Sequence, residues 1–390
     1  MKKLSSNSSQ SLVFYSAVTQ FDNLGDLLIN RILIAELRKY ARLVVNVNGV
    51  PEWYKEELGL LPGEIVEESR IKFRTRIILA GIKRLSGLKK NTFAIINPGH
   101  SYGDMKMLGG SFFRILINST LIYLSGVRRC RFGCSIGPFW GGRESLERLQ
   151  AKLMYFNSVR DSISKNYAES IGIQNTVYFP DLAWLMETEY TQKRPSIESR
   201  EFVIFSFRDL TPGFLNKHLN SQEYQRILLS KLDKIVDYVS INLSKKILIC
   251  YQVDRDKSMS DFLYDRYKNI CKIDFLDSRV TSRDMEKVYS SSCLVFSNRL
   301  HVLMFSMAFG ALPIAVIDSE KHTKISGVFA DSGMKPLLLD IHDEGISIEK
   351  KLDDLVQKEI PLLNIRIAES YRRNSIIARA LVQKTILGST

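Results

Sequence analysis

Cysteine is scarce in this sequence, and the few present form no pattern. The 390 residues contain five cysteines, an odd number, with no Cys-x-x-Cys pair. A disulfide framework or a thiolate zinc site is therefore not predicted. Isolated cysteines are typical of a reducing compartment, and we expect a cytoplasmic protein. The five are Cys130, Cys134, Cys250, Cys271 and Cys293.

Long apolar runs and common enzyme motifs are also missing. The longest stretch without a charged residue or a histidine is Val302 to Ile317, which has 16 residues, whereas a membrane-spanning helix needs about 20. The polar residues 5–10 and the short apolar run 12–15 do not form a signal peptide. A phosphate-binding P-loop, a dinucleotide G-x-G-x-x-G and a zincin H-E-x-x-H are absent. These absences remove the main support for the corresponding enzyme classes.

Positive charge, in contrast, is abundant and unevenly placed. The chain has 55 Lys and Arg against 42 Asp and Glu, a net charge of +13, in an otherwise ordinary globular composition. Eight of the basic residues lie between Arg70 and Lys90, where no acid occurs and apolar residues are interleaved. This pattern is typical of a solvated helix face or of a segment that binds an anionic membrane surface. A segment that binds nucleic acid is the least favoured interpretation.

Short β-rich runs alternate with helical stretches along the chain, which predicts an α/β fold with parallel sheets. Several runs are continuously apolar, as expected for strands covered on both faces by helices. The polar segment 187–200 indicates a boundary between two such series, and the tail from about residue 348 has helical periodicity. The predicted strands are 12–17, 43–47, 93–96, 131–136, 176–179, 202–207, 247–251, 294–296 and 314–317.

Ligands of open α/β sheets bind at the carboxyl ends of the strands, so the polar residues that follow each strand are the candidates. After the first strand come Asn23, Gly25 and Asp26, where Asn23 or its neighbour Asp22 can cap a helix. After the strand 93–96, the segment Asn97-Pro98-Gly99-His100 forms a shaped loop around an imidazole, which exchanges protons near neutral pH. Both segments also fit an ordinary turn, or a merely exposed histidine.

Two further strand ends carry an arginine beside an aspartate. Arg160 precedes Asp161, and Arg208 precedes Asp209. Either pair alone fits a structural ion pair as well as a ligand site.

The segment 297–301, Ser-Asn-Arg-Leu-His, is the most informative. Ser297 and Asn298 are residue types that cap helices, so Arg299 and His301 are predicted in the first turn of the apolar helix that follows. A helix N-terminus favours an anion, and a guanidinium and an imidazole strengthen this preference. We therefore predict a carboxylate or phosphate site, in preference to a core histidine bonded to a carbonyl.

With these residues in place, the sequence resembles the polysaccharide pyruvyl transferase family. The resemblance rests on an ordered set of motifs over residues 20 to 335. The motifs are Asn23-Leu24-Gly25-Asp26, Gly103-Asp104, Phe132-Gly133-Cys134-Ser135-Ile136-Gly137-Pro138, Val159-Arg160-Asp161-Ser162-Ile163-Ser164, Pro180-Asp181-Leu182-Ala183, Asn298-Arg299-Leu300-His301 and Ala308-Phe309-Gly310-Ala311-Leu312-Pro313, then Lys324 and Gly327.

The resemblance implies two Rossmann-like domains facing across a cleft, as in GT-B glycosyltransferases, with C-terminal helices. Residues 1–190 would form the acceptor side, 191–345 the donor side, and 346–390 a helical segment that packs across both. The family transfers the enolpyruvyl carbons of phosphoenolpyruvate to two hydroxyls of a sugar, which gives a cyclic ketal and releases phosphate. The alternative is a GT-B glycosyltransferase that uses a nucleotide sugar.

The resemblance and the residue chemistry together assign roles. We expect His301 to be the general acid/base and Arg299 to hold the donor beside it. No metal or cofactor is expected, and nucleic acid is not an expected partner. The expected partners are phosphoenolpyruvate, a lipid-linked or polymeric glycan, and the inner leaflet of the plasma membrane. Further donor-binding residues are Arg160, Arg208, Lys324 and Asn298, and those on the acceptor side or its loop are His100, Asp26 and Asn23.

Overall fold

A computed structural model of the chain describes residues 11–87, 91–192, 194–196, 198–208, 221–343, 345 and 347–388. The polar stretch 5–10, Lys89 and Lys90 of the basic stretch, and Asp209, which entered the sequence predictions, lie outside these ranges.

The contacts divide the described chain into two compact units. The first comprises residues 11–21, 26–182 and 376–388, and the second comprises 22–25 and the described part of 183–375. The division falls after Leu182, whereas the sequence placed it at residue 190. Trp184 is fully buried in the second unit and its ring packs edge-on against Tyr371, with centroids 4.9 Å apart. This contact accounts for the assignment of the residues just after 182.

The first unit is a parallel sheet of eight strands with helices between them. The strand order is β3-β2-β1-β4-β6-β7-β8, and β5 pairs with β6. The strands are β1 (Ser11–Ser16), β2 (Ala41–Asn46), β3 (Ile65–Glu67), β4 (Thr92–Ile96), β5 (His100–Met105), β6 (Arg128–Gly141), β7 (Phe156–Val159) and β8 (Val177–Tyr178). The helices are α1 (Leu24–Arg38), α2 (Glu52–Glu57), α3 (Arg70–Leu85), α4 (Gly110–Leu124), α5 (Gly142–Lys152) and α6 (Ser162–Ser170).

The second unit is a parallel sheet of six strands in the order β11-β10-β9-β12-β13-β14. This is the Rossmann order, in which the sheet grows outward in both directions from two central strands. The strands are β9 (Phe202–Ser206), β10 (Lys246–Ile249), β11 (Ile273–Phe275), β12 (Ser292–Ser297), β13 (Leu312–Ile317) and β14 (Leu338–Asp340). The helices are α7 (Ser221–Ile241), α8 (Lys257–Tyr267), α9 (Met285–Ser290), α10 (Leu300–Ala308), α11 (Thr323–Asp331), α12 (Ile348–Asp354) and α13 (Ile360–Leu387), and a π-helical turn, Leu355–Glu359, joins the last two. The end of α13, residues 376–387, belongs to the first unit.

The predicted α/β class with parallel sheets is confirmed. The apolar runs of β9 and β12 are buried on both faces, as their composition indicated. Helix α10 is apolar all round, and every residue of it except His301 is buried. It gives the residues at its N-terminus a rigid support. In the described part of the chain, no helix combines the length and apolarity needed to cross a membrane.

Candidate active site

The central strands β9 and β12 of the second unit end at the same edge of their sheet. The strand order reverses between them, and this reversal is where open parallel sheets bind ligands. Asn298, which follows β12, joins the two strand ends because its Oδ1 accepts the N–H of Arg208 at 2.8 Å. The predicted residues Arg208, Asn298 and Arg299 therefore meet at one point of the fold.

Helix α10 begins at Leu300, one residue after Arg299, whereas the sequence predicted Arg299 in the first turn of this helix. Ser297 and Asn298 are not its cap, because the Ser297 hydroxyl donates to the carbonyl of Ser206 and Asn298 bonds Arg208. Arg299 itself occupies the N-cap position with extended backbone, φ −111° and ψ 117°. Its N–H is bonded to the Ser297 oxygen at 3.0 Å. His301 lies in the first turn, as predicted.

The Arg299 guanidinium forms an ion pair with Asp256, which precedes α8. The Asp256 side chain is 3% exposed and that of Arg299 is 13% exposed. Burial raises the pKa of the Asp256 carboxyl, and the neighbouring Arg299 opposes this shift. The Nε atom of Arg299 is buried and has no hydrogen-bond partner among the described residues. The ion pair thus fixes Arg299 and leaves this donor position for a ligand.

Arg208 faces the same cluster. Burial, followed by the positive charge of Arg299, lowers the pKa of Arg208 to about 10. The negative charge of Asp256 works in the opposite direction, but it does not cancel both effects. Two guanidinium groups are therefore held close together at a partly buried sheet edge, an arrangement that an anion stabilises.

Lys324 and a second histidine, His322, border this cluster. His322 precedes α11, with Nδ1 3.0 Å from the Asp318 carbonyl oxygen, and its ring stacks on Tyr224 with centroids 6.4 Å apart. Burial lowers the pKa of His322 to about 4, helped by the charges of Arg208 and Lys324. His322 is therefore neutral at physiological pH. Burial likewise raises the pKa of Tyr224 to about 12.

His301 lies directly against the loop that begins α1. A Cβ atom added at Gly25 would lie 2.6 Å from Nδ1 and 2.8 Å from Cβ of His301, closer than any real contact. The Asn23 side chain shapes this loop by accepting the N–H of Gly25 at 3.0 Å. The N–H of Leu24 donates to the Gln252 carbonyl. Two motifs distant in sequence, 23–25 and 298–301, therefore meet in the second unit.

The other two predicted acceptor or loop residues lie in the first unit. His100 is not in a loop: it begins β5, and its Nε2 is 2.7 Å from the Gly137 carbonyl oxygen. The glycine and proline content of 97–103 concealed this strand, which pairs with β6 with a register shift. Asp26 lies within hydrogen-bond distance of the Thr19 hydroxyl, at 3.4 Å. Polar side chains therefore also follow the central strands of the first unit, with Asp26 after β1 and His100 after β4.

Arg160 is also in the first unit, where it is 3% exposed. Its guanidinium pairs with Asp181 at 2.7 Å and donates to the Ser135 hydroxyl at 2.8 Å. Ser135 in turn donates to Asp161, which caps α6 by accepting the N–H of Ser164 at 2.7 Å. This buried network accounts for Arg160 structurally, and its part in donor binding stays a prediction.

The same network bears on another enzyme class. The segment Gly133–Gly137 has the G-x-S-x-G spacing of serine hydrolases. Ser135, however, is buried within the long strand β6 and not on an exposed strand-to-helix turn. Its hydroxyl is bonded to a carboxylate and a guanidinium rather than activated by an imidazole. The geometry is not that of a hydrolase nucleophile.

In the described ranges, no cluster of three or more His, Cys, Asp or Glu side chains has the geometry to hold a metal ion.

The sequence profile described as polysaccharide pyruvyl transferase matches residues 23–318. The chain belongs to this family. The match contains both the 23–25 loop and the Asn298-Arg299-Leu300-His301 segment that pack together at the site. Membership in the pyruvyl transferase family makes the chain a transferase enzyme that acts in polysaccharide pyruvylation. No curated protein matches the sequence.

Solved structures similar to this pyruvyl transferase share its fold. A UDP-GlcNAc 2-epimerase from Neisseria meningitidis, bound to UDP-GlcNAc, has a TM-score of 0.55 at 11% identity and covers 97% of this chain and 100% of its own. The enzyme from Methanocaldococcus jannaschii has a TM-score of 0.53 at 13% identity, with coverages of 90% and 93%. MnaA of S. aureus, in a structure with UDP, has a TM-score of 0.53 at 9% identity, with coverages of 97% and 97%. The fold is therefore GT-B-like.

Three residues of the candidate site were not found from the sequence. Asp256, Tyr224 and His322 come from three different elements, and only the strand order brings them to Arg208 and Arg299. The polar run 318–324 after β13 was a usable signal for His322, because β13 is adjacent to β12 in the sheet. The polar run 252–257 after β10 was a comparable signal for Asp256, because β10 is adjacent to β9, whereas the sequence offered no such signal for Tyr224 within α7.

Proposed function

We propose that this pyruvyl transferase takes its pyruvyl group from phosphoenolpyruvate and releases phosphate. The observation that carries the proposal is the pair of guanidinium groups, Arg208 and Arg299, held at the β9–β12 strand ends with Lys324 nearby. Phosphoenolpyruvate has a carboxylate and a phosphate of about −1.5 to −2 charge. A donor with two anionic groups suits two forked cations and a lysine.

The proposed reaction forms two C–O bonds at C2 of the donor and breaks its bond to the phosphate oxygen. The methylene carbon gains one proton to become a methyl group, and the two sugar hydroxyls lose one proton each. One of these protons balances the methyl group, and the other leaves with the phosphate. His301, in the first turn of α10, is the proposed general acid/base for these transfers. Arg299 balances the charge that develops on the departing phosphate.

The remaining predicted residues divide between donor and acceptor. Asn298, Arg208 and Lys324 are proposed to bind the donor, which makes residues 191–345 the donor side. Asp26 and His100, in the first unit, are proposed to bind the acceptor, and Asn23, which the contacts assign to the second unit, is proposed to take part as well. The proposed acceptor is a sugar of a polysaccharide or of its lipid-linked precursor. A lipid-linked acceptor would draw the enzyme to the cytoplasmic face of the membrane as a peripheral protein.

A nucleotide-sugar donor is the competing proposal. Two of the similar structures, from N. meningitidis and S. aureus, contain UDP-GlcNAc or UDP. A diphosphate would suit the same cations at the start of α10. The two proposals differ in the molecule that the cluster binds.

Titration calorimetry with phosphoenolpyruvate and with UDP-GlcNAc separates these proposals. We expect phosphoenolpyruvate to bind and to release phosphate when a lipid-linked glycan extract is added. Binding of UDP-GlcNAc without binding of phosphoenolpyruvate would favour the glycosyltransferase alternative.

The proposed reaction uses neither a metal nor a cofactor, since phosphate leaves from a site already supplied with cations. Activity should therefore survive extensive treatment with a chelator, followed as phosphate release. Complete loss that is restored by Mg²⁺ would contradict the proposed mechanism.

A further inference from the structure

The positive charge of the whole chain resides in one stretch of the first unit. Residues 69–143 contain fourteen Lys and Arg and a single acid, Asp104, which equals the +13 net charge of all 390 residues. The rest of the chain is therefore neutral overall. This stretch includes α3 and α4, which pack against each other.

Helix α4 exposes a continuous apolar stripe. Phe113, Ile117, Leu121 and Leu124 follow helical spacing and are between 45% and 66% exposed. The helix contains no acid, and Arg114 is its one charged residue. In a globular helix of this length the exposed face is normally polar. An exposed apolar stripe therefore indicates a surface that an apolar partner covers.

Helix α3 extends the apolar surface beside α4. Its inner residues, Phe73 and Ile77, are buried in the sheet core, whereas Ile71 and Leu85 are 78% and 62% exposed. The two helices approach closely at Gly81, where a side chain would collide with the Ser125 carbonyl.

The charges around this apolar surface repel one another. Burial lowers the pKa of Arg74, and the cations Arg70 and Arg114 lower it further. Among the described residues, Arg76 has a carboxylate partner, Glu67 at 2.8 Å, but Lys72 and Lys83 have none. The surface formed by residues 70–85 and 106–124, here called the docking face, is both apolar and cationic.

We propose that the docking face binds an anionic lipid bilayer, with the α4 stripe entering the interfacial region and the α3 cations contacting lipid phosphates. The proposal deepens the proposed function, on which it rests for the lipid-linked acceptor. Apolar side chains beside Lys and Arg are the composition of interfacial helices, and a bilayer supplies both complements at once.

Charge and polarity favour this occupant over the alternatives. A second copy of the chain would bring two cationic faces together, which is repulsive. A nucleic acid would satisfy the cations but leave the aliphatic stripe of Ile117, Leu121 and Leu124 in water.

The first test measures sedimentation with vesicles of phosphatidylglycerol and phosphatidylethanolamine in equal parts. Lys72→Gln with Lys83→Gln should weaken binding about 25-fold, since each cation near an anionic surface contributes about a fivefold attraction. Phe113→Ser with Leu121→Ser should weaken it about tenfold or more, because two apolar side chains that would enter the bilayer are lost. Matched controls in the second unit are Arg226→Gln with Lys234→Gln, and Ile241→Ser with Ile270→Ser, all at exposed positions.

A second test reports insertion directly. The variant Leu121→Trp adds a fluorophore to the α4 stripe, and its signal is taken as the difference from wild type. We expect a shift to shorter wavelength with anionic vesicles, and quenching by lipids brominated on their acyl chains. Vesicles of phosphatidylcholine alone should give little of either.

Three binding results would overturn the proposal, and so would one result on solution mass. The three are no binding to anionic vesicles at low salt, equal loss of binding in the control variants, and binding to duplex DNA or RNA without binding to vesicles. A fall in solution mass caused by Phe113→Ser with Leu121→Ser would identify a second copy as the occupant instead. The readouts need no donor or turnover, so failure here is distinct from failure of phosphoenolpyruvate to bind.

Discussion

At the residue scale, the role of Arg299 rests on the shape of its side chain as well as on its charge. One nitrogen holds Asp256, and the buried Nε remains available. Arg299→Lys keeps the charge but supplies a single ammonium, which cannot serve Asp256 and the donor in the same way. We expect the Kd for phosphoenolpyruvate to rise about 10- to 100-fold, by calorimetry.

The control for this variant is Arg283→Lys at an exposed position of the same unit. It should leave the Kd unchanged. If Arg299→Lys also binds phosphoenolpyruvate with unchanged Kd, Arg299 is only the partner of Asp256.

His301 and Gly25 provide a paired prediction, because an added Cβ at Gly25 would meet the imidazole. His301→Ala should lower turnover about 10²- to 10⁴-fold while donor binding survives in part. Gly25→Ala should also lower turnover by displacing the imidazole, and the thermal transition should fall, because the overlap with His301 outweighs the better helix propensity of alanine. Steady-state phosphate release and thermal melting measure the two effects.

The double variant Gly25→Ala with His301→Ala tests the mechanism of this coupling. Because alanine at 301 keeps the Cβ that the added methyl group would meet at 2.8 Å, the comparison is completed with His301→Gly. If Gly25 acts only by giving His301 room, Gly25→Ala with His301→Gly should be no slower than His301→Gly alone. Additive losses would show that Gly25 has a role separate from His301.

At the element scale, sequence predicted what local pattern determines. The strands β9 and β12 were found because buried parallel strands are continuously apolar, and the start of α10 was found to within about two residues because polar residues separate it from β12. The strands β3, β11 and β14 were missed because they have three residues each, β7 because it has four with two polar residues among them, and β5 because glycine interrupts it.

The site could be predicted only in part for a related reason. Arg299 and His301 lie on one continuous segment whose helix-start pattern is visible in the sequence. Asp256 and His322 reach the same place through strand order, and the packing of Gly25 on His301 joins residues far apart in the chain. Contacts between residues so far apart in the chain cannot be predicted from the spacing of residues in a single sequence.

The Arg160–Asp181 pair leads to a prediction about the packing of β6, β7 and α6. Both side chains are almost fully buried. Asp181→Ala would leave the Arg160 charge buried without its carboxylate, and we expect a loss of about 3 to 5 kcal/mol in the free energy of unfolding. Asp265→Ala, which breaks an exposed pair with Lys268, should cost less than about 1 kcal/mol. Equal thermal shifts in the two variants would contradict a structural role for the buried pair.

At the scale of the whole molecule, the excess positive charge is concentrated in one unit. The first unit contains the cationic stretch 69–143, and the rest of the chain is neutral overall. Within that neutral remainder, Arg208, Arg299 and Lys324 still form a local positive cluster. Net charge alone would not have revealed the cluster, whereas the fold does, because anion binding depends on local geometry and burial.

The burial of His322 and the nearby charges of Arg208 and Lys324 predict how stability depends on pH. The pKa of His322 is lowered to about 4 in the folded protein, against about 6.5 in an unfolded chain. Between these values the unfolded state binds the proton and the folded state does not. Stability should therefore be complete above about pH 6.5 and fall as pH drops towards 4, by at most about 1.4 kcal/mol per pH unit.

The variant His322→Gln isolates this contribution because it removes the titrating group. Buried carboxyls whose pKa is raised, such as Asp256, change the stability with pH in the opposite direction, and the variant leaves them in place. Thermal melting at about pH 7 and about pH 5 should show a smaller difference for His322→Gln than for wild type. Phosphoenolpyruvate at saturation should also flatten the wild-type slope, because its negative charge offsets Arg208 and Lys324 and lets His322 accept a proton more readily. A slope that is unchanged by the donor would mean that the donor does not bind beside these two cations.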